Sequence, residues 1–443
     1  MVLRVCLVVV MVVTAATTST RTAVKAATTT PAQIVRDSDG ALHINTSDPL
    51  TQPVLVNGVD VLEELQLHQR TAQLQALTIR QYAGSLAKQQ QAISELTSTA
   101  EEQAGVLSSL QATLCRLIPP TVDTTTISGL STDVDKWLGG VLANNGLIYG
   151  LPYKATSVLI IDPVANTADT TTITGLPSGD GAWSGGVLAN NGLIYAIPLD
   201  GTFVLIIDPT SNTADTTTIA DLSEGGGKWF GGVVAANGLI YGIPWNSAAV
   251  LIIDPTTNAI DVTSIVELSS DCCKWQGGVL ADNGLIYAAP RNAESVLIID
   301  PATNTADTTS IAGFGNGGAK WVNGVLAPNG KIYAFPYSAT SVLIIDPATN
   351  TADTTSIAGL PSDEHKWRSG ALASNGKIVG IPFRTVSVLV VDPATDSADT
   401  TSLAAPSSSS NYWFGGVLAN NGLIYGIPHS ASSVLIVDPT PGC

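Results

Sequence analysis

The stretch Trp183-Ser-Gly-Gly-Val-Leu-Ala-Asn-Asn-Gly-Leu-Ile-Tyr-Ala-Ile-Pro198 decides the fold, together with Phe203-Val-Leu-Ile-Ile-Asp-Pro209 and Ala214-Asp-Thr-Thr-Thr-Ile219 behind it. It contains four short β-prone runs. Asn191-Gly192 is a strong two-residue hairpin signal, because both residues tolerate positive φ. Pro198 ends the second run, since proline cannot donate to a ladder. Asp208-Pro209 ends the third: proline presets φ for a turn and aspartate can bond the turn backbone. The fourth run is rich in β-branched residues and reads as a strand.

The same pattern recurs around Trp137, Trp183, Trp229, Trp275, Trp321, Trp367 and Trp413, each 46 residues from the next. Four strands at this period are the size of a propeller blade. The last unit stops at Asp438-Pro439-Thr-Pro-Gly-Cys443 and lacks its fourth strand. A matching run, Val122-Asp-Thr-Thr-Thr-Ile127, stands before the first tryptophan. This permutation predicts that the early strand completes the last blade and closes a ring. Closure hides sheet edges that would otherwise template aggregation. The expected fold class is an all-β seven-bladed propeller over 122–443, with four-stranded blades, preceded by a long α-helical, coiled-coil-like stalk.

Val342-Leu-Ile-Ile-Asp-Pro-Ala-Thr-Asn-Thr351, followed by Asn375-Gly376-Lys377-Ile378, resembles secreted propeller repeats of the kelch and YVTN types. The set Trp321, Pro328-Asn329-Gly330 and Tyr333 is similar to lectin propellers. The resemblance covers 122–443 and implies the fold; fold alone carries no function.

Ahead of the ring, residues 1–26 read as a signal peptide. Met1–Arg4 carries positive charge and Val5–Val13 is an apolar run, too short to span a bilayer. Cleavage after Ala16 or Ala26 fits the small residues there. Residues 27–58 are polar and read as extended or partly disordered, and Asn45-Thr46-Ser47 is a glycosylation sequon. Residues 59–118 read as a helix. Leu65, Ala72, Ile79, Leu86, Ile93, Ala100, Leu107 and Leu114 recur every seven residues, which makes one apolar seam. A parallel coiled coil joining two or three chains would cover that seam. The alternatives are a helix packed on its own propeller, or a hairpin bent near Gly84 or Gly105.

The chain has 443 residues, of which 12% are charged and 45% hydrophobic, and its net charge is −17. It is too apolar for disorder, and an acidic surface of this size repels nucleic acid. After the leader come Cys115, Cys272, Cys273 and Cys443, an even number that suits disulfides in a secreted chain. Cys115–Cys443 would lock the ring, unless Cys115 instead crosslinks neighbouring stalks. A bond between the adjacent Cys272 and Cys273 would be strained. The four histidines, His43, His68, His365 and His429, show no metal spacing, and no phosphate loop, nucleophile elbow or dinucleotide fingerprint occurs. No metal or cofactor is expected.

Units differ most in the loops of one face. Tyr153, Leu199, Trp245, Arg291, Tyr337, Phe383 and His429 follow the second-strand prolines, and Asp133/Asp135, Asp180, Glu224, Asp271, Gly317/Gly318, Asp363/Glu364 and Ser410 precede the first strands. Variable aromatic and charged loops on a rigid scaffold suit binding, against the plainer reading that such loops simply drift. Lys136, Lys228, Lys274, Lys320 and Lys366 precede five of the tryptophans; they read as a contact for an acidic glycan or as a solvated rim paired with nearby carboxylates. The seven tryptophans read as core, with a sugar-stacking ring as the alternative. The repeated Asp-Pro aspartates read as turn residues rather than calcium ligands. The expected function is a secreted or surface-associated, non-enzymatic binding or scaffold protein presenting a propeller face to a glycan or extracellular protein, with a possible homo-oligomer through 59–118. The alternatives are a structural wall component, or a propeller lyase or hydrolase with an unrecognised site.

Overall fold

The computed structural model describes residues 25–26, 33–36, 42–45, 54–56, 59–117, 119–177, 181–405 and 412–439. The leader and its cleavage site, Asp180, Ser410, Cys443 and the side chain of Cys115 lie outside the described residues, and with them the Cys115–Cys443 bond.

The chain divides into two compact units, Met1–Leu107 and Ser108–Cys443. In the first, Gln33–Arg36 pairs with Leu42–Asn45, placing Asn45 at a strand end. Lys25–Ala26, Val54–Val56 and Val59–Asp60 form a small sheet. One helix runs from Val61 to Leu117. It is unbroken at Gly84 and Gly105, so the bent-hairpin alternative is corrected. Every described side chain of this helix is exposed, the seam residues Ile79, Leu86 and Ile93 included. Among the described residues no helix is long and apolar enough to cross a membrane.

The ring consists of seven four-stranded antiparallel sheets. In the second blade the strands are Trp183–Leu188, Ile194–Pro198, Leu205–Asp208 and Thr213–Asp215. The last blade takes its fourth strand from Thr121–Asp123, with Val122 opposite Val437 and Asp123 opposite Ile436. Second strands are buried throughout, as in Ile194–Pro198. The core therefore lies between blades. At the closing joint Trp137, Ile148 and Ile161 of the first blade pack with Val417, Tyr425 and Ile427 of the seventh. Full burial of each such aliphatic side chain contributes about 1.5–3 kcal/mol.

All seven repeat tryptophans belong to these cores. Each indole N–H donates to a backbone carbonyl of its own blade, for example Trp275 Nε1 to Ser295 O at 2.7 Å. They are packing residues, not a ring of exposed ligand platforms.

Polar joints repeat on the Asn-Gly face. Asn145 Nδ2 donates to Pro209 O of the next blade at 2.9 Å, and the Tyr149 hydroxyl donates to Asn212 Oδ1 at 2.6 Å. Asn421 Nδ2 donates to Pro163 O at 3.1 Å and carries the joint across the closure. The Asn-Gly asparagine is thus a bridge between blades as well as a turn former.

The fourth strands and the five lysines depart from the sequence expectation. The fourth strands are short, because the aspartate that ends each one turns the chain out of the ladder. Asp215 Oδ1 accepts from the Thr217 N–H at 2.7 Å and the Thr217 hydroxyl at 2.8 Å. The hydrogen bond from the Thr218 hydroxyl, with those from Thr217, holds the Asp215 carboxyl down to about 2. The five lysines are buried or nearly so and do not form a solvated rim. Lys274 Nζ donates to Trp245 O and Ser247 O of the preceding blade and to Asp271 O, each at 3.1 Å. Lys136, Lys228, Lys320 and Lys366 make the same kind of clip, for example Lys366 Nζ to Ala339 O at 3.0 Å.

Each first strand contains a register shift just after its tryptophan, between Trp183 and Gly186 in the second blade. Such a bulge re-aims side chains. Here it drives the backbones of neighbouring blades together at the axis. Gly415 has φ of +79°, and a Cβ on it would lie 3.0 Å from Gly139 Cα of the first blade. Gly422 has φ of +83°, but its nearest neighbour would be Ser374 Oγ at 4.0 Å. Gly422→Ala should therefore cost only the left-handed penalty, about 1–2 kcal/mol, and Gly415→Ala measurably more. Urea unfolding of the two variants checks this. Equal losses would mean that the first and last blades do not meet as described.

Candidate functional site: an aromatic cup on the propeller axis

The bulge places the residue after each tryptophan on the axis. Around the ring these are Leu138, Ser184, Phe230, Gln276, Val322, Arg368 and Phe414. The residues after the second-strand prolines come from the adjoining strand ends. Leu138, Phe230, Val322 and Phe414 join Leu199, Tyr337 and Phe383 in one buried cluster, with Tyr153, Trp245 and Tyr412 packed against it. Phe230 and Phe414, from the third and seventh blades, have ring centroids 6.0 Å apart. Below them the glycine-lined axis holds a space of about 140 Å³, bordered by Gly139, Gly185, Gly231, Gly277, Asn323 and Gly415.

Arg368 rises among these rings. Its guanidinium carbon lies 4.6 Å from the centre of Phe414, 5.0 Å from Phe383, and 5.6 Å from both Phe230 and Tyr337. Cation–π attraction of this kind offsets part of the cost of drawing a charge out of water. Arg291 lies 4.7 Å over Trp245 and 5.7 Å from Tyr337. Burial weakens the hold of both arginines on their protons, and the charge of Arg368 adds repulsion at Arg291.

His429 closes the seventh-blade side, 6.0 Å from Tyr153 and 5.6 Å from Phe383 by ring centroids. Its Nδ1 lies 3.2 Å from Ser430 Oγ and 3.5 Å from Asp135 Oδ1. Burial, and then the charge of Arg368, pull its pKa down to about 4 against the attraction of Asp135. At neutral pH it is a neutral ring, and Asp135 pairs with Lys154 at 3.2 Å. His365 stacks on Tyr337 at 4.4 Å and is likewise shifted down by burial.

The structure therefore gathers Tyr153, Trp245, Arg291, Tyr337, Phe383 and His429 around one axis. It leaves Lys136, Lys228, Lys274, Lys320 and Lys366 in the blade joints instead. Cys272 and Cys273 are bonded to each other in the loop before Trp275. A cavity of about 710 Å³ lies away from the axis, between the closing segment Thr126–Leu130 and Asn166–Ala168. It gathers none of the loop-ring aromatics.

Sequence reading missed Arg368, Gln276, Phe230 and Phe414. The signal was present: within the near-invariant Trp-x-Gly-Gly unit, x is the position that changes character most between blades. A strand read with strict alternation does not send x to the axis; the bulge does.

A pH test follows from His429. An unfolded histidine titrates near 6.5. Between pH 6.5 and 4 the unfolded chain takes a proton that folded His429 refuses, so stability falls as pH drops through that window. The loss is at most about 3 kcal/mol. Asp215 and Asp261, held near 2, act mainly below about pH 4. His429→Gln should remove most of the fall in urea midpoint between pH 7 and 4.5. An unchanged fall in that variant would rule His429 out as its source.

No protein-family model matches the chain, and no curated protein matches it. Solved structures do, at the level of fold. A streptogramin B lyase superposes with a TM-score of 0.56 at 10% identity, over 72% of this chain and 97% of that one. Virginiamycin B lyase from Staphylococcus aureus with quinupristin gives 0.56 at 11%, over 72% and 99%. The WD40 propeller domain of Doa1 gives 0.54 at 11%, over 73% and 97%. At these identities the likeness is one of architecture: this chain carries a seven-bladed β-propeller.

Proposed function

We propose that the chain is a secreted or surface-associated binding protein whose loop face takes a glycan ligand in the axial cup, the propeller serving as a rigid scaffold and not as an enzyme. One observation carries the reading. The Asn-Gly face and the blade joints repeat nearly residue for residue, whereas aromatic and charged side chains of differing kind converge at one end of the axis. Rigid strands hold those rings at fixed spacing, so little ordering entropy is lost on binding. Aromatic faces suit the C–H faces of sugars, and a polar handle among them supplies orientation. An extracellular setting fits the leader-like amino terminus. Among chains of the same fold, the extracellular domain of a hybrid two-component system from B. thetaiotaomicron superposes with a TM-score of 0.53 at 11% identity, over 72% of this chain and 39% of that one.

The helix Val61–Leu117 supports an assembly role. A continuous seam of exposed Leu and Ile is costly in water unless covered, and a second copy of the same helix would cover it. Light scattering of the whole chain should give a dimer or trimer mass. Replacing Ile79, Leu86 and Ile93 by serine should return it to a monomer with the ring still folded. A monomer mass for the unaltered chain would remove the stalk's assembly role.

A glycan array probed with the whole chain tests the binding role. The expected result is a restricted set of bound glycans, with affinity lowered at least tenfold by Trp245→Ala or Tyr337→Ala. An array on which nothing binds would defeat the reading.

A further inference from the structure

We infer that the axial cup is built to receive an oxyanion, a carboxylate or sulfate carried on a saccharide, with the guanidinium of Arg368 as its anchor. The inference rests on the binding role proposed above and names the ligand's chemistry.

Hydrogen-bond satisfaction supports it first. Among the described residues, the buried side-chain nitrogen and oxygen atoms lacking any partner are Nε2 and Oε1 of Gln276, Nε of Arg291 and Nε of Arg368. All belong to three residues at the cup. Gln276 is fully buried at an axial position. Unsatisfied groups of this kind are rare and costly to keep. Their confinement to one place marks a site kept for a ligand rather than a general looseness of packing.

Charge supports it independently. A chain with 19 basic against 36 acidic residues places two guanidiniums within each other's field at this one point. Nearby carboxylates are engaged elsewhere. Asp135 pairs with Lys154, and Asp200 accepts from the Gly227 N–H. Arg291 reaches Asn292 Oδ1 only at 3.4 Å, with the Tyr337 hydroxyl beside it. Among the described residues Arg368 makes no ion pair, and Asp135 reaches it only through its charge. The four rings around Arg368 meet its charge with their faces, and its Nε–H has no acceptor. A buried cation without a counter-charge is strongly unfavourable. The planar edge of a guanidinium matches an oxyanion with two parallel hydrogen bonds. Arg368 as a whole residue keeps partial exposure, although its Nε is buried. The surrounding Trp245, Tyr153 and Tyr337 would then flank the sugar ring that carries the anion.

Titration calorimetry with the whole chain tests this, using oligogalacturonate, its methyl ester and galactose 6-sulfate as probes. At least one anionic probe should bind. If it is the uronate, the methyl ester should be at least tenfold weaker, a loss of about 1.4 kcal/mol or more. Arg368→Met should reduce anion binding at least thirtyfold. Arg368→Lys, which keeps the charge but not the fork, should fall between. Melting curves report whether each variant is folded. The ester comparison uses the unaltered protein and stands even if the variants do not fold. The two anionic arms distinguish carboxylate from sulfate. Equal binding of ester and acid, or full anion binding by a folded Arg368→Met variant, would overturn the inference. Neutral glycans binding where neither anionic probe does would overturn it too, while leaving the binding role intact. An array with no binder at all would instead defeat the binding role itself.

Discussion

The pairing of Thr121–Asp123 with Ile436–Asp438 is the contact on which the rest depends. Three residues contribute little ladder energy alone. Their effect is topological: hydrogen bonds hold the segment that leads into the first blade within the sheet of the last. The joint between these blades then repeats the chemistry of the other six, from the Trp137–Tyr425 packing to the Asn421–Pro163 bridge. An open ring would expose that apolar joint on two blades and lose the glycine contact at the axis. The axial cup exists only when all seven inner strands face one another.

Two demands on each unit separate spatially. The joints must repeat, because every blade meets a neighbour with the same geometry. This explains the Tyr–Asn pairs, the tryptophan N–H bonds and the buried lysine clips. The axis imposes no such demand, since seven different side chains can share one central volume. The bulge in each first strand directs the residue after the tryptophan to that volume. Constraint and freedom are therefore adjacent in sequence: Trp367 is core, and Arg368, next to it, points among aromatic rings at the mouth of the channel.

Much of this is legible in the sequence, for physical reasons. The period, the Asn-Gly turns and the permuted strand follow from local rules of turn chemistry and edge avoidance. The ring of residues after the second-strand prolines is legible because loops on one face vary while turns on the other do not. What is hidden depends on geometry beyond one strand. Lys274 looks like a solvated rim charge until the preceding loop folds its carbonyls around it. Asp-Thr-Thr-Thr looks like strand until Asp215 bonds the backbone ahead of it. Arg368 looks like an exposed strand residue until the bulge turns it inward.

Amide hydrogen exchange, read by mass spectrometry on the intact chain, tests ring closure most directly. The peptide holding Thr121–Asp123 should exchange as slowly as the equivalent outer strand Ala259–Asp261 of the third blade, and both should open together with global unfolding. Exchange of Thr121–Asp123 at the rate of an unpaired segment, with Ala259–Asp261 still protected, would contradict a closed ring and the cup that depends on it.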